Sequence, residues 1–405
     1  MAVQPGSRQL LSDGDLSRLI EHARWNSPAS SKRSRGDFGL PGEIGLQVTN
    51  RCNLRCTHCF QWGETGQYHG LSKLARNREL DIAVVESILA ETRAIGSRLY
   101  VWGGEPLVYS HYADLMKLLA ADPRWTVVCS NGIGVERHLD AMRPASHMLT
   151  MLVSLDGLEK HNDMMRTRGA FTKTVAGIEA LVQAKRDGSF LGEISVATVI
   201  SDELVDELYD FAKFVQGLGI NTLHINYPWH ISEQSAKRMD AYYDANFGWL
   251  EAEGLFDTSL ARSWHSYDYK LSRDRAGAIR DQLARIYAES WSMRVKFQPA
   301  LAETELADFL DGSENAPGGR SECISIATRL SVLPTGKVTT CKLFPEFTIG
   351  DLHQQSVAEI WASERAVKVR AILGRELTPV CSRCVQLYLN RPKGDVLKAM
   401  YETVG

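Results

Sequence analysis

The sequence predicts an α/β fold: a partial (β/α)6 barrel over residues 44–228, a helical connecting region over 229–317 and a small α+β domain over 318–405, preceded by an N-terminal extension over 1–43. Three observations predict it. Short β-branched runs alternate with amphipathic stretches from residue 44 onward, and the rhythm stops near residue 229. The cysteines gather in two sets, Cys52, Cys56 and Cys59 early and Cys323, Cys341, Cys381 and Cys384 late, with only Cys129 apart.

The extension is polar. SDGDLSRLIEHARW has the pattern of one short helix capped by Ser12 or Asp13, and the Ser- and Arg-rich stretch 27–39 reads as a linker with a solvated basic face. The predicted strands are 44–50, 98–104, 125–132, 149–157, 193–201 and 222–228. Between them, Leu204, Leu208, Phe211 and Val215 recur on one helical face, as do Val175, Ile178 and Leu181. Gly96, Gly188 and Gly217 or Gly219 stand where helices should stop. Repeated β-then-α units imply parallel strands with right-handed crossovers. Chemistry in parallel barrels sits at the carboxyl ends of the strands. The cysteine triplet, Gly103-Gly104-Glu105-Pro106, Ser130-Asn131-Gly132 and Ser154-Leu155-Asp156-Gly157 all fall there, after four successive strands.

Residues 229–298 read as helical and hold many aromatics, among them Trp229, Tyr243, Phe247, Trp264, Tyr267 and Tyr269, which fit either an extra core layer or a substrate wall. RLSVLPTGKVTTC reads as a hairpin turning at Pro334-Thr335-Gly336, and TIGDLHQQSVAEIWAS leads into a helix.

A net charge of −3 gives no electrostatic reason for a nucleic-acid or acidic-membrane partner. No signal-like or membrane-spanning apolar run is present, so a cytoplasmic protein is expected. In that reducing compartment clustered cysteines read as metal ligands rather than disulfides. Three thiolates in C-x3-C-x2-C suit a structural zinc site poorly, because such a site takes four protein ligands. They suit a [4Fe–4S] cluster that leaves one iron open.

This triplet, on the first strand's exit, followed by GGEP and SLDG, resembles the radical S-adenosylmethionine (SAM) superfamily. The resemblance implies a three-cysteine [4Fe–4S] cluster whose open iron chelates SAM, and a 5′-deoxyadenosyl radical made by reductive SAM cleavage. It also implies SAM contacts. Gly103, Gly104, Glu105 and Pro106 would meet the methionine ammonium, and His58 would lie near the adenine. Asn131 matches a TNG-like turn, Ser154 and Asp156 the ribose and carboxylate contacts, and Arg166 the SAM carboxylate.

The four late cysteines could close either a zinc ribbon or a fully ligated cluster. C-x17-C, then IGDL…EIW, then C-x2-C resembles the twitch/SPASM auxiliary-cluster domains. Residues Val385–Asn390 supply none of the further cysteines of the longer form, so one auxiliary [4Fe–4S] cluster is implied, as in the twitch domain of an aminocyclitol dehydrogenase. Cys129, at the outgoing end of the third strand, is either a small core residue or a thiol that returns a hydrogen atom.

The expected activity is hydrogen abstraction from a small natural product of sugar or cyclitol type, ending in alcohol oxidation or epimerisation. Asp156 and His230 are the candidate bases for oxidation, and Cys129 the donor for epimerisation. The alternatives are maturation of a ribosomally made peptide and a non-catalytic iron–sulfur or zinc protein. The expected partners are a small-molecule or peptide substrate and a flavodoxin- or ferredoxin-type reductant, with no nucleic acid and no membrane.

Overall fold

In the computed structural model, residues 39–256, 261–321, 323, 325–384 and 387 are described. The extension's helix and linker, apart from Gly39, and nearly all of Val385–Asn390 lie outside them. The predicted rhythm becomes six parallel strands: β1 (Glu43–Thr49), β2 (Arg98–Gly103), β3 (Thr126–Ser130), β4 (Leu149–Ser154), β5 (Glu193–Val199) and β6 (Thr222–Asn226). Each agrees with its predicted run to within a few residues.

Helices cover one face of this sheet. They include α1 (Ile82–Thr92), α2 (Tyr112–Ala121), α3 (Val135–Met142), α4 (Glu159–Met165), α5 (Ala170–Arg186) and α6 (Leu208–Gly217). Alternation in the strands places Ile44, Leu46, Val48, Leu99, Val101, Val128, Met151, Val153, Val196 and Leu223 against them, all buried in one core. Each such side chain contributes about 1.5–3 kcal/mol by leaving water. Leu204, Leu208, Phe211 and Val215 are buried as their spacing predicted. Gly96, Gly188 and Gly219 take the left-handed backbone that ends a helix, with φ of 57°, 76° and 83°.

The region 229–317 departs from the helical reading. Besides α7 (Glu233–Ala252), α8 (Ala276–Ala288) and α9 (Glu303–Leu310), it contains β7 (Arg294–Gln298), a further parallel strand beside β6. Arg-Val-Lys-Phe-Gln alternates polar with apolar at the strand period, but the run is short and Arg294 and Lys296 replace the β-branched residues that mark the other strands.

The late hairpin forms as predicted, from β8 (Arg329–Val332) and β9 (Lys337–Thr339), with Gly336 at φ 77° closing the turn. It does not stand apart from the barrel. β8 pairs in parallel with β1, and β10 (Thr348–Asp351) pairs with β9, so one ten-stranded sheet runs β10-β9-β8-β1-β2-β3-β4-β5-β6-β7. Two helices follow, α10 (Val357–Ala362) and α11 (Glu364–Leu373). The first opens on a capping box: Ser356 Oγ accepts from the Glu359 amide at 3.1 Å, and Glu359 Oε2 accepts from the Ser356 amide at 2.8 Å. No helix of the described residues is long and apolar enough to cross a membrane.

Candidate active site

The chain leaves β1 into a loop that carries Cys52, Cys56 and Cys59, each only partly buried. Local bonds fold the loop: the Cys59 amide donates to Cys56 O at 3.2 Å, and the Gly63 amide to Cys59 O at 2.7 Å. Backbone amides also point at sulfur. Leu54 N–H donates to Cys52 Sγ at 3.4 Å, and Trp62 N–H to Cys59 Sγ at 3.3 Å. Cys56 Sγ faces Arg166 Nη1 at 3.9 Å. Burial, reinforced by the neighbouring sulfurs, pushes the Cys52 and Cys56 thiols up to about 12. Without metal they are held as thiols, while the N–H donors and the guanidinium are the partners a thiolate wants. This donor set fits a cluster bound by thiolates.

The glycines of GGEP act on this loop. The Gly104 amide donates to Thr49 O and the Glu105 amide to Arg51 O, both at 2.8 Å. A Cβ on Gly104 would lie 2.1 Å from the Arg51 carbonyl oxygen, and one on Gly103 2.4 Å from that of Thr49. Only glycine permits so close an approach. Glu105, read as a ligand for an ammonium group, turns its carboxylate into the body of the protein, 1% exposed. It accepts from the Leu107 amide at 2.9 Å, Ser130 Oγ at 2.7 Å and the Asn131 amide at 2.7 Å. Burial raises its pKa, and these three donors oppose the rise. Pro106 is buried beside it at the start of a short 3-10 turn. Asn131 then donates through Nδ2 to Asn53 Oδ1 at 2.7 Å, joining the β3 exit to the cysteine loop.

Asp156 lies after β4, fully buried. Its Oδ2 pairs with Arg166 Nη2 at 2.7 Å and stands 3.5 Å from His58 Nε2; its Oδ1 accepts from the Val199 amide at 2.8 Å. Burial works against the Arg166 charge, but Asp156 and Cys56 outweigh it and hold the guanidinium more firmly protonated than usual. His58 is pushed below its ordinary value by burial, with Asp156 opposing. Its ring meets Tyr269 edge-on at 5.9 Å. Ser154 ends β4 on the sheet face turned away from the helices.

That inner face also carries Cys129. Strand register sets it beside Leu152, on the face of Tyr100 and Trp102 and opposite Leu99 and Val101. It is half-buried, and its thiol contacts the Tyr100 hydroxyl. Lys342, next to Cys341, reaches the same place, its Nζ 3.8 Å from the Tyr100 ring centroid and 5.2 Å from that of Trp102. Burial, aided by Arg329, pushes the Lys342 pKa down to about 8. The alternation in RLYVWGG could have placed Tyr100 and Trp102; Lys342 had no signal in the sequence beyond its cysteine neighbour.

His230 stands elsewhere, in a small crevice lined by Ile231, Ser235, Gly312, Val380 and Arg383. Burial, then Arg383 and Lys270, lowers its pKa.

The four late cysteines are close enough to feel one another. Burial pushes Cys381 up to about 11, with Cys323 adding; burial also raises Cys341, with Cys384 and Cys381 adding. Burial raises Cys323 as well, while the amides of Ile326 and Ser325 oppose, as those of Leu343 and Phe344 do at Cys341. Thr378 Oγ1 lies 3.1 Å from Cys381 Sγ. Four sulfurs, three of them met by amide donors, again fit a thiolate-bound cluster. Between the two sets lies an aromatic stack: Phe60 on Tyr267 at 4.7 Å, and Tyr267 against Phe344 at 5.7 Å. The aromatics of 229–298 thus divide. Tyr243, Phe247, Trp264 and Tyr267 are core, and of these Tyr267, together with Trp229 and Tyr269, packs on Phe60 or His58 of the cysteine loop.

The sequence matches the radical SAM superfamily over residues 46–215 and the SPASM iron–sulfur cluster-binding domain over residues 323–385. It is 24% identical over 349 residues to the pre-heme d1 synthase of Dinoroseobacter shibae, covering 85% of this chain and 79% of that protein. It is 27% identical over 187 residues to the GTP 3′,8-cyclase of Listeria welshimeri, covering 45% and 53%. To the mycofactocin maturase MftC of Mycolicibacterium smegmatis it is 27% identical over 229 residues, covering 53% and 54%. The chain therefore spans about half the length of the last two relatives. Among solved structures, Streptococcus suis SuiB bound to S-adenosylmethionine superposes with a TM-score of 0.58 at 12% identity, covering 88% of this chain and 78% of that one. Native anSMEcpe with bound AdoMet gives 0.55 at 13%, covering 89% and 100%. These two share the fold.

Proposed function

Because the chain belongs to the radical SAM superfamily and carries a C-terminal SPASM-type iron–sulfur domain, we propose that it abstracts a hydrogen atom from a small hydroxylated molecule held on the inner face of the barrel, and that Cys129 returns a hydrogen to the opposite side, inverting one stereocentre. When bound, the [4Fe–4S] cluster and SAM supply a 5′-deoxyadenosyl radical. Cys52, Cys56 and Cys59 would hold that cluster, and Cys323, Cys341, Cys381 and Cys384 an auxiliary one. Gly103 and Gly104 hold the cysteine loop against β2, Glu105 and Asn131 tie it to β3, and Arg166 sets positive charge beside Cys56. His58, Ser154 and the backbone of 103–106 remain the candidate SAM contacts.

The observation that carries inversion over oxidation is the Cys129 thiol on the inner face, in contact with Tyr100. Donating its hydrogen leaves a sulfur radical, which one electron from a flavodoxin- or ferredoxin-type protein and one proton restore to the thiol. Neither base candidate serves oxidation as well. Asp156 commits both oxygens to Arg166 and the Val199 amide, and His230 sits in a separate crevice. A second reading, a peptide substrate, draws on the likeness to the mycofactocin maturase.

The test is anoxic reconstitution with SAM and reductant. 5′-Deoxyadenosine should form. In heavy water the product should carry deuterium at the inverted carbon, and Cys129→Ala should abstract hydrogen without inverting. Normal inversion by that variant would remove Cys129 from the mechanism. Challenging the enzyme with cyclitol phosphates and with short peptides separates the two substrate classes.

A further inference from the structure

The inner face of the barrel holds more positive than negative charge. By strand register it carries Arg98, Arg294, Lys296 and Arg329, with Lys342 reaching in, against Glu43 and Glu193. Both carboxylates are already engaged. Glu43 lies between Arg98, at 3.4 Å, and Arg329, and Glu193 pairs with Arg294 at 2.8 Å. Lys342 is half-buried and has no ion-pair partner among the described residues, whereas Lys296 stands exposed on β7. Lysine is seldom buried unless paired, because its ammonium loses water without recompense. The faces of Tyr100 and Trp102 attract the Lys342 ammonium but offset only part of that loss.

The acidic groups nearest Lys342 are Glu43, already clasped by two arginines, and the sulfurs of Cys129 and Cys384. Ser331, Gly45 and Tyr100 stand in one row across β8, β1 and β2. With no side chain on Gly45, the Ser331 hydroxyl leans over β1; a Cβ there would lie 3.2 Å from it. Ser331 Oγ and Trp102 Nε1 are both buried with no hydrogen-bond partner. An ammonium, a hydroxyl and an indole N–H thus share one wall beside Cys129, and none of the three makes a hydrogen bond among the described residues. Unsatisfied donors in a native interior call for an explanation, and here they share one chemistry.

We propose that this wall binds an oxyanion of the substrate, a carboxylate or a phosphate ester, with Lys342 as its anchor and Lys296 on β7 as a second contact. The substrate is then an acidic small molecule rather than a neutral polyol. The proposal rests on the reading that the inner face is the substrate chamber, and it adds the group by which the substrate is held. A competing role for Lys342, as counter-charge to the auxiliary thiolates of Cys341 and Cys384, is an outcome of the same test.

The reconstituted full-length protein with SAM is titrated calorimetrically at fixed ionic strength with inorganic pyrophosphate, with citrate and with neutral myo-inositol. Saturable binding of an anion and not of inositol is expected; preference for pyrophosphate marks a phosphate site, and preference for citrate a carboxylate site. Lys342→Gln should weaken anion binding by roughly tenfold or more, Lys342→Arg should keep it within about threefold, and Lys296→Gln should weaken it less. If Lys342→Gln loses iron, the Arg and Lys296 variants carry the test, and full anion affinity in Lys296→Gln together with equal binding of inositol by the wild type overturns it. The proposal also falls if neither anion binds the wild type, or if Lys342→Gln shifts the auxiliary midpoint potential while anion affinity holds. 5′-Deoxyadenosine release by the wild type tests the radical reading separately, so either can fail alone.

Discussion

Asp156 and Arg166 form the most enclosed ion pair on the rim, with side-chain exposures of 0% and 7%. Such a pair adds little net stability over an apolar equivalent, but removing one partner strands the other charge away from water. Arg166→Gln should therefore cost about 3–5 kcal/mol and also strip the positive charge facing Cys56. Chemical denaturation of the anoxic protein, with iron counted per chain, reads both effects. A variant of wild-type stability would show that the pair is dispensable. His224 gives a second residue-level expectation. Burial, with Lys296 and Arg294 adding, lowers its pKa from 6.5 to about 3. Between those values the unfolded chain binds a proton that the folded chain refuses, so stability falls as pH drops from 6.5 toward 3. Buried Glu105 and Glu346, whose pKa values burial raises, act in the opposite sense above the ordinary glutamate range, so the informative quantity is wild type minus His224→Asn. That difference should shrink steadily on acidification below pH 6.5 if the asparagine variant lacks the His224 proton linkage. A pH-independent difference would count against a neutral buried His224.

At the scale of elements, the two glycines after β2 do more than accommodate a ligand. They let the β2 exit lie directly on the β1 exit, and hence set the height of the cysteine loop. Gly104→Ala would press a methyl into the Arg51 carbonyl, and backbone cannot rotate aside as a side chain can. Overpacking of this kind costs about 1–3 kcal/mol, and the strain falls on the loop between Thr49 and Cys52. The expected result is lower iron occupancy of the three-cysteine site, read by iron analysis and the cluster spectra of Gly104→Ala in a Cys381→Ser background, which disables the four-cysteine site; with Cys381 in place, Gly104→Ala should keep the four-cysteine cluster. The same scale shows what the sequence could disclose. Barrel strands with β-branched inner cores, such as ISVATV and LTMLVS, announce themselves because one face meets helices and must be apolar. The β7 strand is hidden because its inner face is Arg294, Lys296 and Gln298, the first two exposed, and charged residues at alternate positions do not mark a strand the way β-branched ones do. The cysteine sets were legible because thiolate ligation demands fixed residue types. The Glu105 joint was not, since a carboxylate in a GGEP turn looks the same from the sequence whether it faces a ligand or the neighbouring strand. Lys342 was hidden for a related reason: which way a residue beside a cluster ligand points is decided by the loop's tertiary packing.

For the molecule as a whole, the decisive contact is β8 on β1. Four parallel registers, Glu43 with Arg329 through Leu46 with Val332, make the late hairpin a neighbour of the barrel's first strand rather than an appendage. Glu43 is clasped from both sides, by Arg98 of β2 and Arg329 of β8. The Phe60–Tyr267–Phe344 stack then fastens the three-cysteine loop to the four-cysteine hairpin from above, with the Tyr267 hydroxyl donating to Leu343 O at 3.2 Å. Deleting the chain from residue 318 onward would therefore uncover the whole edge of β1, leave its backbone groups unpaired and expose the apolar face that Leu330, Val332 and Phe344 cover. Bare, flat edges of this kind invite strand addition by other chains. The truncated protein should be recovered as aggregate, and in the full chain a single denaturation transition should report both the barrel and the hairpin, followed by Trp102 fluorescence and by the auxiliary cluster's absorbance. A soluble, monomeric truncated barrel with the far-ultraviolet spectrum of its intact counterpart would mean that the sheet is two independent units placed side by side, and that the chemistry on the rim does not depend on the hairpin beneath it.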